Sequence, residues 1–470
     1  MEKRIDTAVG KLQEFEAIFN PQSVAVIGAS DDPAKLGYHV IKSLVAGGFP
    51  GKIFPINPGR KEVFGLPAFS SPDLVPEKID LAIVVLPAKL VPEVLEACGR
   101  KGIKGAVLIA GGFKEIEDKS GEKMQEEITQ LANRAGIKVI GPNTFGMFNL
   151  HRKLNASFTP DFSQMEPGSI SLVSQSGGIA HLLGFLAQRE RVGLGKVFGL
   201  GNRCNIDFAE MLECLVEDPE TKVIAMYIEG LDNPRRLIDT AQKVRGRKPL
   251  LVYKAGRSQA SDKASKSHTG SLAGNYEIYQ GAFRQAGMLT VESSEELLDA
   301  AKILALCPLP RGNRVAVLSG QAGLAMVASD FCEREGLVLA PFSEDTQRQI
   351  NELLPPLTIR TNPVDLGPAW YNAEAMRGII QLVLSDENID AMIFCIVYAS
   401  INRHLTKMLI ELFETESKKK PILTCISAPE GIWDDDIRSL QNVGVVNFST
   451  PERAAQALGN LIRYSKISGE

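Results

Sequence analysis

Three stretches of this 470-residue chain repeat one design: VAVIGAS from Val24 to Ser30, ISLVSQSGG from Ile170 to Gly178, and VAVLSGQAG from Val315 to Gly323. Each is a short β-rich apolar run, a turn of small residues, and then a helical pattern. That pattern starts near Leu36 in the first, carries Leu182, Leu183 and Leu186 in the second, and Met326, Val327 and Phe331 in the third. Short apolar runs bounded by glycine turns and followed by helices read as buried parallel strands. The repeats lie about 145 residues apart, a domain-sized interval and not a solenoid period. Further strand-like runs (KIFPIN, Leu81 to Leu86, Ala106 to Ala110, Val139 to Gly141) alternate with helical ones, such as Met124, Ile128, Leu131 and Ala135 on one face. The expected fold class is therefore α/β, with three doubly wound parallel-sheet domains and ligands at the carboxyl ends of the strands. Pro-punctuated segments at Leu150 to Pro167, read as a linker, and Cys307 to Pro310 set the expected boundaries at 1–150, 165–306 and 311–470.

Fifty-two Lys and Arg against 56 Asp and Glu give a formal charge of −4, without the basic excess that nucleic acid or anionic membranes select. No apolar run approaches the roughly 18 residues of a membrane span, and MEKRIDTAVGKLQEFEAIF reads as an amphipathic helix and not a secretion signal. A cytoplasmic protein with no nucleic-acid or membrane partner is expected. Seven cysteines without a C-x-x-C or zinc spacing read as reduced and imply no metal site; Cys204, in the Gly-Asn-Arg-Cys-Asn turn, has the setting closest to a reactive thiol. The run Lys418 to Lys420 reads as compensation for a helix C-terminus.

The glycine turns are candidate anion sites, because a helix start presents N–H groups and a positive dipole end. The first, Gly28-Ala29-Ser30, lacks G-x-G-x-x-G, and the second strand ends in Asn57 where an NAD site calls for an acid. Arg60 is placed to grip either the extra phosphate of NADP or the 3′-phosphate of coenzyme A. The second turn, Ser174-Gln175-Ser176-Gly177-Gly178, combines hydroxyls and glycines suited to an oxyanion, and Glu229 falls just past the strand VIAMYIEG. The polar loop Lys254 to Gly274 holds one imidazole, His268. Taken alone, His268 fits a solvated capping residue or a phosphoryl-accepting nucleophile, since imidazole keeps a free lone pair near neutral pH. The chain lacks G-x-S-x-G, H-E-x-x-H and a Walker lysine loop.

Gly28-Ala29-Ser30, Asn57-Pro58, Gly111-Gly112-Phe113, Gly141-Pro142-Asn143, Ser174 to Gly178, Tyr227 to Gly230 and Ser267-His268-Thr269-Gly270, in this order over nearly the whole chain, resemble the NDP-forming acyl-CoA synthetases. These are relatives of succinyl-CoA synthetase, and the resemblance is closest to alpha subunits of ADP-forming acetate–CoA ligases. It implies a Rossmann-like CoA-binding domain followed by two flavodoxin-like domains of the succinyl-CoA synthetase type. It places coenzyme A on Gly28, Ala29, Ser30, Lys35, Asn57, Pro87, Gly111, Gly112 and Phe113. It makes His268 the transient phosphohistidine and Glu229 its orienting partner. Phosphate is implied at Ser174, Gln175, Ser176, Gly177 and Gly178, with Gly141, Pro142 and Asn143.

The implied reaction interconverts acyl-CoA, ADP and inorganic phosphate with acid, CoA and ATP through an acyl phosphate. Phosphohistidine suits a reversible relay, because its P–N bond has a transfer potential close to that of a thioester and an anhydride. No segment resembles the ATP-grasp nucleotide domain, so ADP or ATP and Mg2+ are expected on a separate ATP-grasp beta subunit in a hetero-oligomer. The relay also implies a swinging loop over residues 256–270. Two departures from the pattern are Thr144, where relatives often carry Cys, and Gly320-Gln321-Ala322-Gly323, which replaces paired glycines. A non-catalytic CoA-binding regulatory module is the second reading; a nicotinamide-dependent oxidoreductase is a third, weakened by the missing fingerprint.

Overall fold

The computed structural model describes residues 12–116, 119–258, 260–261 and 275–469. The chain divides into two compact units, Met1–Ser294 and Glu295–Glu470. In the first unit, β1 (Ser23–Ile27), β2 (Lys52–Ile56), β3 (Leu81–Val84), β4 (Gly105–Leu108) and β5 (Lys138–Ile140) form a parallel sheet in the order β2-β1-β3-β4-β5. Every side chain of β1, β3 and β4 is buried, as expected of parallel strands covered on both faces. Helices α1 (Leu36–Ala46), α2 (Val91–Lys101) and α3 (Lys119–Ala135) follow β1, β3 and β4.

The second sheet also lies within the first unit. It contains β6 (Gly146–Asn149), β7 (Leu154–Ser157), β8 (Ile170–Ser174), β9 (Leu194–Gly199), β10 (Val223–Ile228), β11 (Leu250–Lys254) and β12 (Leu289–Val291), ordered β12-β11-β10-β8-β9-β6-β7. The helices α4 (Gly177–Arg189), α5 (Phe208–Glu217) and α6 (Tyr276–Gln285) connect its parallel strands.

The segment read as a linker is in part a strand. β7 pairs antiparallel with β6, and β6 pairs antiparallel with β9, so a hairpin closes this edge. The polar run Leu-Asn-Ala-Ser is wholly buried because its polar groups satisfy one another. Asn155 Nδ2 donates to the Thr159 carbonyl and Ser163 Oγ, while Asn155 Oδ1 accepts from the Ser157 hydroxyl at 2.7 Å.

The two sheets of this unit are locked where β5 hands over to β6. The Gly201 to Cys204 turn lies against Gly141-Pro142-Asn143: Asn202 N–H donates to the Pro142 carbonyl and Cys204 N–H to that of Gly141, both at 2.9 Å. Gly201 has φ +52°, and a Cβ there would lie 2.3 Å from the Pro142 oxygen, so the turn admits no side chain at that position. Gln125 of α3 joins the lock, donating to the Asn202 carbonyl and accepting from Asn202 Nδ2. Cys204 is buried in this turn, and burial pushes its thiol up to about 11, which removes the reactivity its sequence setting suggested.

The second unit carries β13 (Arg314–Ser319), β14 (Val338–Leu339), β15 (Val364–Asp365), β16 (Ala391–Val397), β17 (Ile422–Ser427) and β18 (Val446–Asn447), a parallel sheet ordered β14-β13-β16-β17-β18 with β15 beside β13. Two of its helices, α7 (Ala322–Arg334) and α8 (Pro451–Ser468), pack on each other. Its first turn copies that of the second sheet. The Ser319 hydroxyl donates to the Gln321 carbonyl at 2.8 Å as that of Ser174 does to Ser176 at 2.7 Å. Trp370 lies against Gly320, where a Cβ would be 3.2 Å from the Trp370 Cβ.

One ion cluster anchors the second sheet. Lys196, 2 % exposed, pairs with Asp218 at 2.8 Å and Glu220 at 2.7 Å. Burial works against the Asp218 charge, but hydrogen bonds from Lys196 and Thr221, with the Lys196 charge, hold its carboxyl below the usual range; Glu220 is lowered in the same way. A carboxylate depressed in the fold contributes stability above its unfolded pKa and loses it as pH falls through the folded value. Lys196→Met is expected to cost about 3–5 kcal/mol at pH 7 by leaving the buried Asp218 carboxylate without its cation, while Glu220 keeps its pair with Arg152 at 2.9 Å. The gap to wild type should narrow below about pH 4, as read by urea unfolding at a series of pH values.

Candidate active site

The first glycine turn opens onto a cleft of about 790 Å³ at the carboxyl ends of β1 and β3. Of the residues expected to hold coenzyme A, Gly28, Ala29, Ser30, Lys35, Asn57, Pro87 and Gly111 line it. Gly112 and Phe113 are not among its lining residues, and Phe113 is fully buried in the core behind it. The turn is made for close approach: a Cβ on Gly37, in the first turn of α1, would lie 2.0 Å from the Gly28 carbonyl, so helix start and turn touch through bare backbone. Asn57, where a dinucleotide fold would carry an acid, ties β2 to that turn by donating from Nδ2 to the Ala29 carbonyl at 2.7 Å. The cations of the cleft are Lys35 and Arg100, not Arg60. Arg100 sits in the last turn of α2, held by Asp73 at 3.0 Å. No local pattern in the sequence marked it.

A second cavity, of about 380 Å³, sits at the N-terminus of α4. Gln175, Ser176, Gly177, Gly178, Asn143 and Glu229 all line it, although they come from three segments. Ser176 is the helix N-cap, its hydroxyl accepting from Ile179 N–H at 3.4 Å. Ser174 is fully buried and braces the turn from below through its bond to Ser176; Gly141 and Pro142 also stand behind the cavity, as acceptors for the 201 to 204 turn. Gln175 Oε1 accepts from the backbone N–H of Glu229 at 2.9 Å and of Gly230 at 3.1 Å, so it fixes the carboxylate's position and does not itself offer that oxygen to a ligand.

Glu229 is 9 % exposed. Its carbonyl accepts from the buried Lys254 Nζ at 2.7 Å, and its carboxylate lies near the Tyr227 phenol. Burial first, and then the Glu229 charge, push the Tyr227 phenol far up, so it stays a donor. Lys254 ends β11, and Ala255 N–H donates to the Ile228 carbonyl at 2.9 Å. The loop expected to carry the nucleophile thus leaves the sheet beside Glu229. His268 lies outside the described residues, as does most of the loop expected to swing.

Residues that motif reasoning did not assign also line the cavity: Lys114, Phe145, Phe158, His181 and Asn202. Lys114 follows Gly111-Gly112-Phe113 directly, so its neighbourhood to that motif was a usable signal. Burial is the main cause that lowers its pKa, opposed by Asp232 at 3.6 Å. A helix N-terminus, a capping serine, two glycines and a half-buried ammonium have the chemistry that a tetrahedral oxyanion calls for, and a carboxylate such as that of Glu229 has the chemistry to accept an imidazole N–H.

Residues 22–149 match the family model for a CoA binding domain, 167–304 that for a succinyl-CoA ligase like flavodoxin domain, and 315–469 that for a ligase-CoA domain. Fold and site thereby define the class, the CoA ligases related to succinyl-CoA ligase. Over 459 residues the chain is 37% identical to the alpha subunit of ADP-forming acetate–CoA ligase I of Pyrococcus furiosus, covering 96% of this chain and 98% of that one. It is 40% identical to ADP-forming acetate–CoA ligase I of Archaeoglobus fulgidus, over 97% of this chain and 64% of that protein. The chain therefore belongs to the ADP-forming acetate–CoA ligase family, spanning nearly all of the separate alpha subunit and about two thirds of the longer relative. A Candidatus Korarchaeum cryptofilum acetyl-coenzyme A synthetase 1, solved with phosphate and ADP, superposes with a TM-score of 0.87 at 31% identity, covering 97% of each chain. A Pyrococcus horikoshii crystal structure gives 0.87 at 33% identity over 97% of this chain and 100% of that one.

Because the lowered pKa of Lys114 moves its loss of charge toward neutral pH, phosphate affinity should fall on raising pH earlier than an exposed lysine would allow. Titration calorimetry with inorganic phosphate is expected to show this in wild type. Lys114→Arg should remove the early loss of affinity on the alkaline side, leaving only the pH dependence of phosphate ionisation itself, and Lys114→Met should weaken binding about 10- to 100-fold at pH 7.

Proposed function

We propose that this chain is the alpha subunit of an ADP-forming acid–CoA ligase, with the 790 Å³ cleft as its CoA site and the 380 Å³ cavity as the site of phosphoryl transfer to His268. The observation that carries the reading is the meeting of Ser176, Gly177, Gly178 and Glu229 in one cavity whose neighbouring strand leads into the His268 loop. In the ATP-forming direction an oxygen of inorganic phosphate attacks the thioester carbonyl. The C–S bond breaks, CoA leaves as thiolate and takes a proton, and an acyl phosphate remains. The α4 N-terminus and Lys114 hold the phosphoryl oxygens. An imidazole nitrogen of His268 then attacks phosphorus, the P–O bond to the acyl group breaks, and the carboxylic acid leaves as carboxylate. Glu229 holds the other ring N–H, which leaves the attacking lone pair free and stabilises the charge that develops on the ring.

ADP completes the cycle, its terminal oxygen displacing His268 from phosphorus. We assign nucleotide and Mg2+ to an ATP-grasp beta subunit in a hetero-oligomer. Among the described residues no group of three or more His, Cys, Asp or Glu is placed to hold a metal ion, and no described helix is long and apolar enough to cross a membrane.

Incubation with acetyl-CoA and labelled phosphate should give a protein-bound label that is labile in acid and stable in alkali. His268→Ala is expected to abolish it and Glu229→Gln to slow it about 100-fold or more. Equal labelling of wild type and His268→Ala would remove the phosphohistidine. In thermal shift, CoA and not NADP should raise the Tm, by an amount that grows with the logarithm of its concentration; a shift by NADP alone would favour the oxidoreductase reading.

A further inference from the structure

Lys114 stands where two openings meet. It lines the phosphoryl-transfer cavity and also a neighbouring pocket of about 360 Å³ whose wall includes Gln125, Thr129, Arg203 and Asp232. Its backbone is pinned from both sides. The Lys114 N–H donates to Gln125 Oε1 at 3.4 Å, and the Glu115 carboxylate accepts from the N–H groups of Gly112 and Phe113. Glu115 is also tied to Asn202, in the turn that joins the two sheets. The Lys114 side chain therefore springs from a fixed base. Its charge is set by a short chain of ions. Asp232, 3.6 Å from Nζ, is shared with Arg203, which pairs with it at 2.8 Å. The Arg203 side chain, 1 % exposed, also donates to the Gly230 carbonyl at 2.7 Å and faces Asp207 at 3.3 Å. Glu122 and Glu126 of α3 line the neighbouring pocket, and Glu229 and His181 the transfer cavity. Asp232 divides its charge between Lys114 and Arg203 while burial disfavours the ammonium, so a larger share of this amine is neutral than of an exposed lysine.

We propose that Lys114 is a self-acylation site: when phosphoryl transfer stalls, the acyl phosphate formed in the cavity passes its acyl group to Nζ, and the acylated chain loses its phosphate site. This rests on the acid–CoA ligase reading. In that reading Lys114 holds the phosphoryl oxygens, and the acyl carbon lies one bridging oxygen from phosphorus. Transfer to His268 removes the acyl group as carboxylate. Where nothing drains the phosphohistidine, the acyl phosphate stays in the cavity beside Lys114. The ammonium releases one proton to solvent, and the Nζ lone pair attacks the acyl carbon. The C–O bond to phosphate breaks, phosphate leaves with the electron pair, and the second proton of the nitrogen goes with it as the amide forms. No oxidant, reductant or further reactant enters. The amide is uncharged, so it no longer pairs with Asp232 as an ion or holds phosphoryl oxygens.

The test incubates the intact chain with acetyl-CoA and labelled phosphate, without ADP. Acetyl groups are located by peptide mass spectrometry, and phosphohistidine by its acid-labile label. Lys114 should be acetylated at least about tenfold faster than the exposed Lys61 and Lys123, because an amine and an acyl carbon held in one cavity react at a high effective molarity. Leaving out phosphate should bring Lys114 down to their rate. His268→Ala, which blocks onward transfer, should raise acetylation of Lys114 while it abolishes the acid-labile label. Asp232→Asn, which removes the carboxylate favouring the ammonium, should raise it as well. The acetylated chain should bind inorganic phosphate about 10- to 100-fold more weakly, as expected of Lys114→Met. The phosphate dependence is read in wild type and stands where a variant fails to fold. Acetylation of Lys114 no faster than of Lys61, or equally fast without phosphate, in a sample that forms the acid-labile label overturns the self-acylation site and leaves the ligase reading intact. Absence of both label and acetylation overturns the two together.

Discussion

The contact between the Gly201 to Cys204 turn and Gly141-Pro142-Asn143 sets the geometry of everything chemical in the first unit. Each sheet presents a glycine turn at the carboxyl ends of its strands, where N–H groups and helix dipoles favour anions. Two such turns on independently placed sheets would be two unrelated anion sites. The backbone bonds from Asn202 and Cys204 to Pro142 and Gly141, with the Gln125 side chain pinned to Asn202, bring them to adjoining cavities that share Leu36. The close approach depends on Gly201, because a Cβ there would overlap the Pro142 oxygen. A relay that moves an acyl group from one carrier to a phosphate needs this adjacency, since effective catalysis requires reacting atoms held within contact distance.

The three strand-turn-helix repeats have diverged in what their turns hold. In the first, a bare backbone contact between Gly28 and Gly37 leaves room for a large ligand. In the second, Ser176, Gly177 and Gly178 leave the helix start open, while Gln175 turns its amide oxygen to the backbone of Glu229 and positions that carboxylate. The third keeps the serine-to-backbone bond of the second, and Gln321 offers its amide oxygen to Val397 N–H as Gln175 does to Glu229. There Trp370 packs on Gly320, and Ala322 stands where the second turn has a glycine. The same backbone device thus opens onto a cavity in one sheet and is packed over in another. A turn motif alone carries no function, as expected when activity resides in the side chains gathered around a fold.

Much of the scaffold was legible in residue order. β1 takes in the apolar run that begins at Val24, and α1 starts at Leu36, because a continuous apolar run and a glycine turn leave few other solutions. The segment 150–167 was misread for an instructive reason. Asn155 and Ser157 make β7 look like loop, yet they bond to each other and to Thr159 and Ser163, so the strand is polar in composition and dry in place. The assigned roles separated in a similar way. Ser176, Gly177, Gly178 and Glu229 line the cavity, while Ser174, Gly141 and Pro142 support it from behind and Phe113 is core. A motif mixes residues that line a cavity with residues that hold the loop behind it, and burial is what distinguishes them here.

Local order along the chain fixes the parallel sheets, the anion-binding turns and the place of Glu229 after β10, since each depends on residues within a few positions of one another. The wall formed by Phe145, Phe158 and His181 follows a different logic. Its members come from the crossover between sheets, the end of the hairpin and the second turn of α4, and no spacing relates them. Long-range packing decides that they meet, because the free energy of gathering distant rings is set by the shape of the whole first unit and not by their neighbours in the chain.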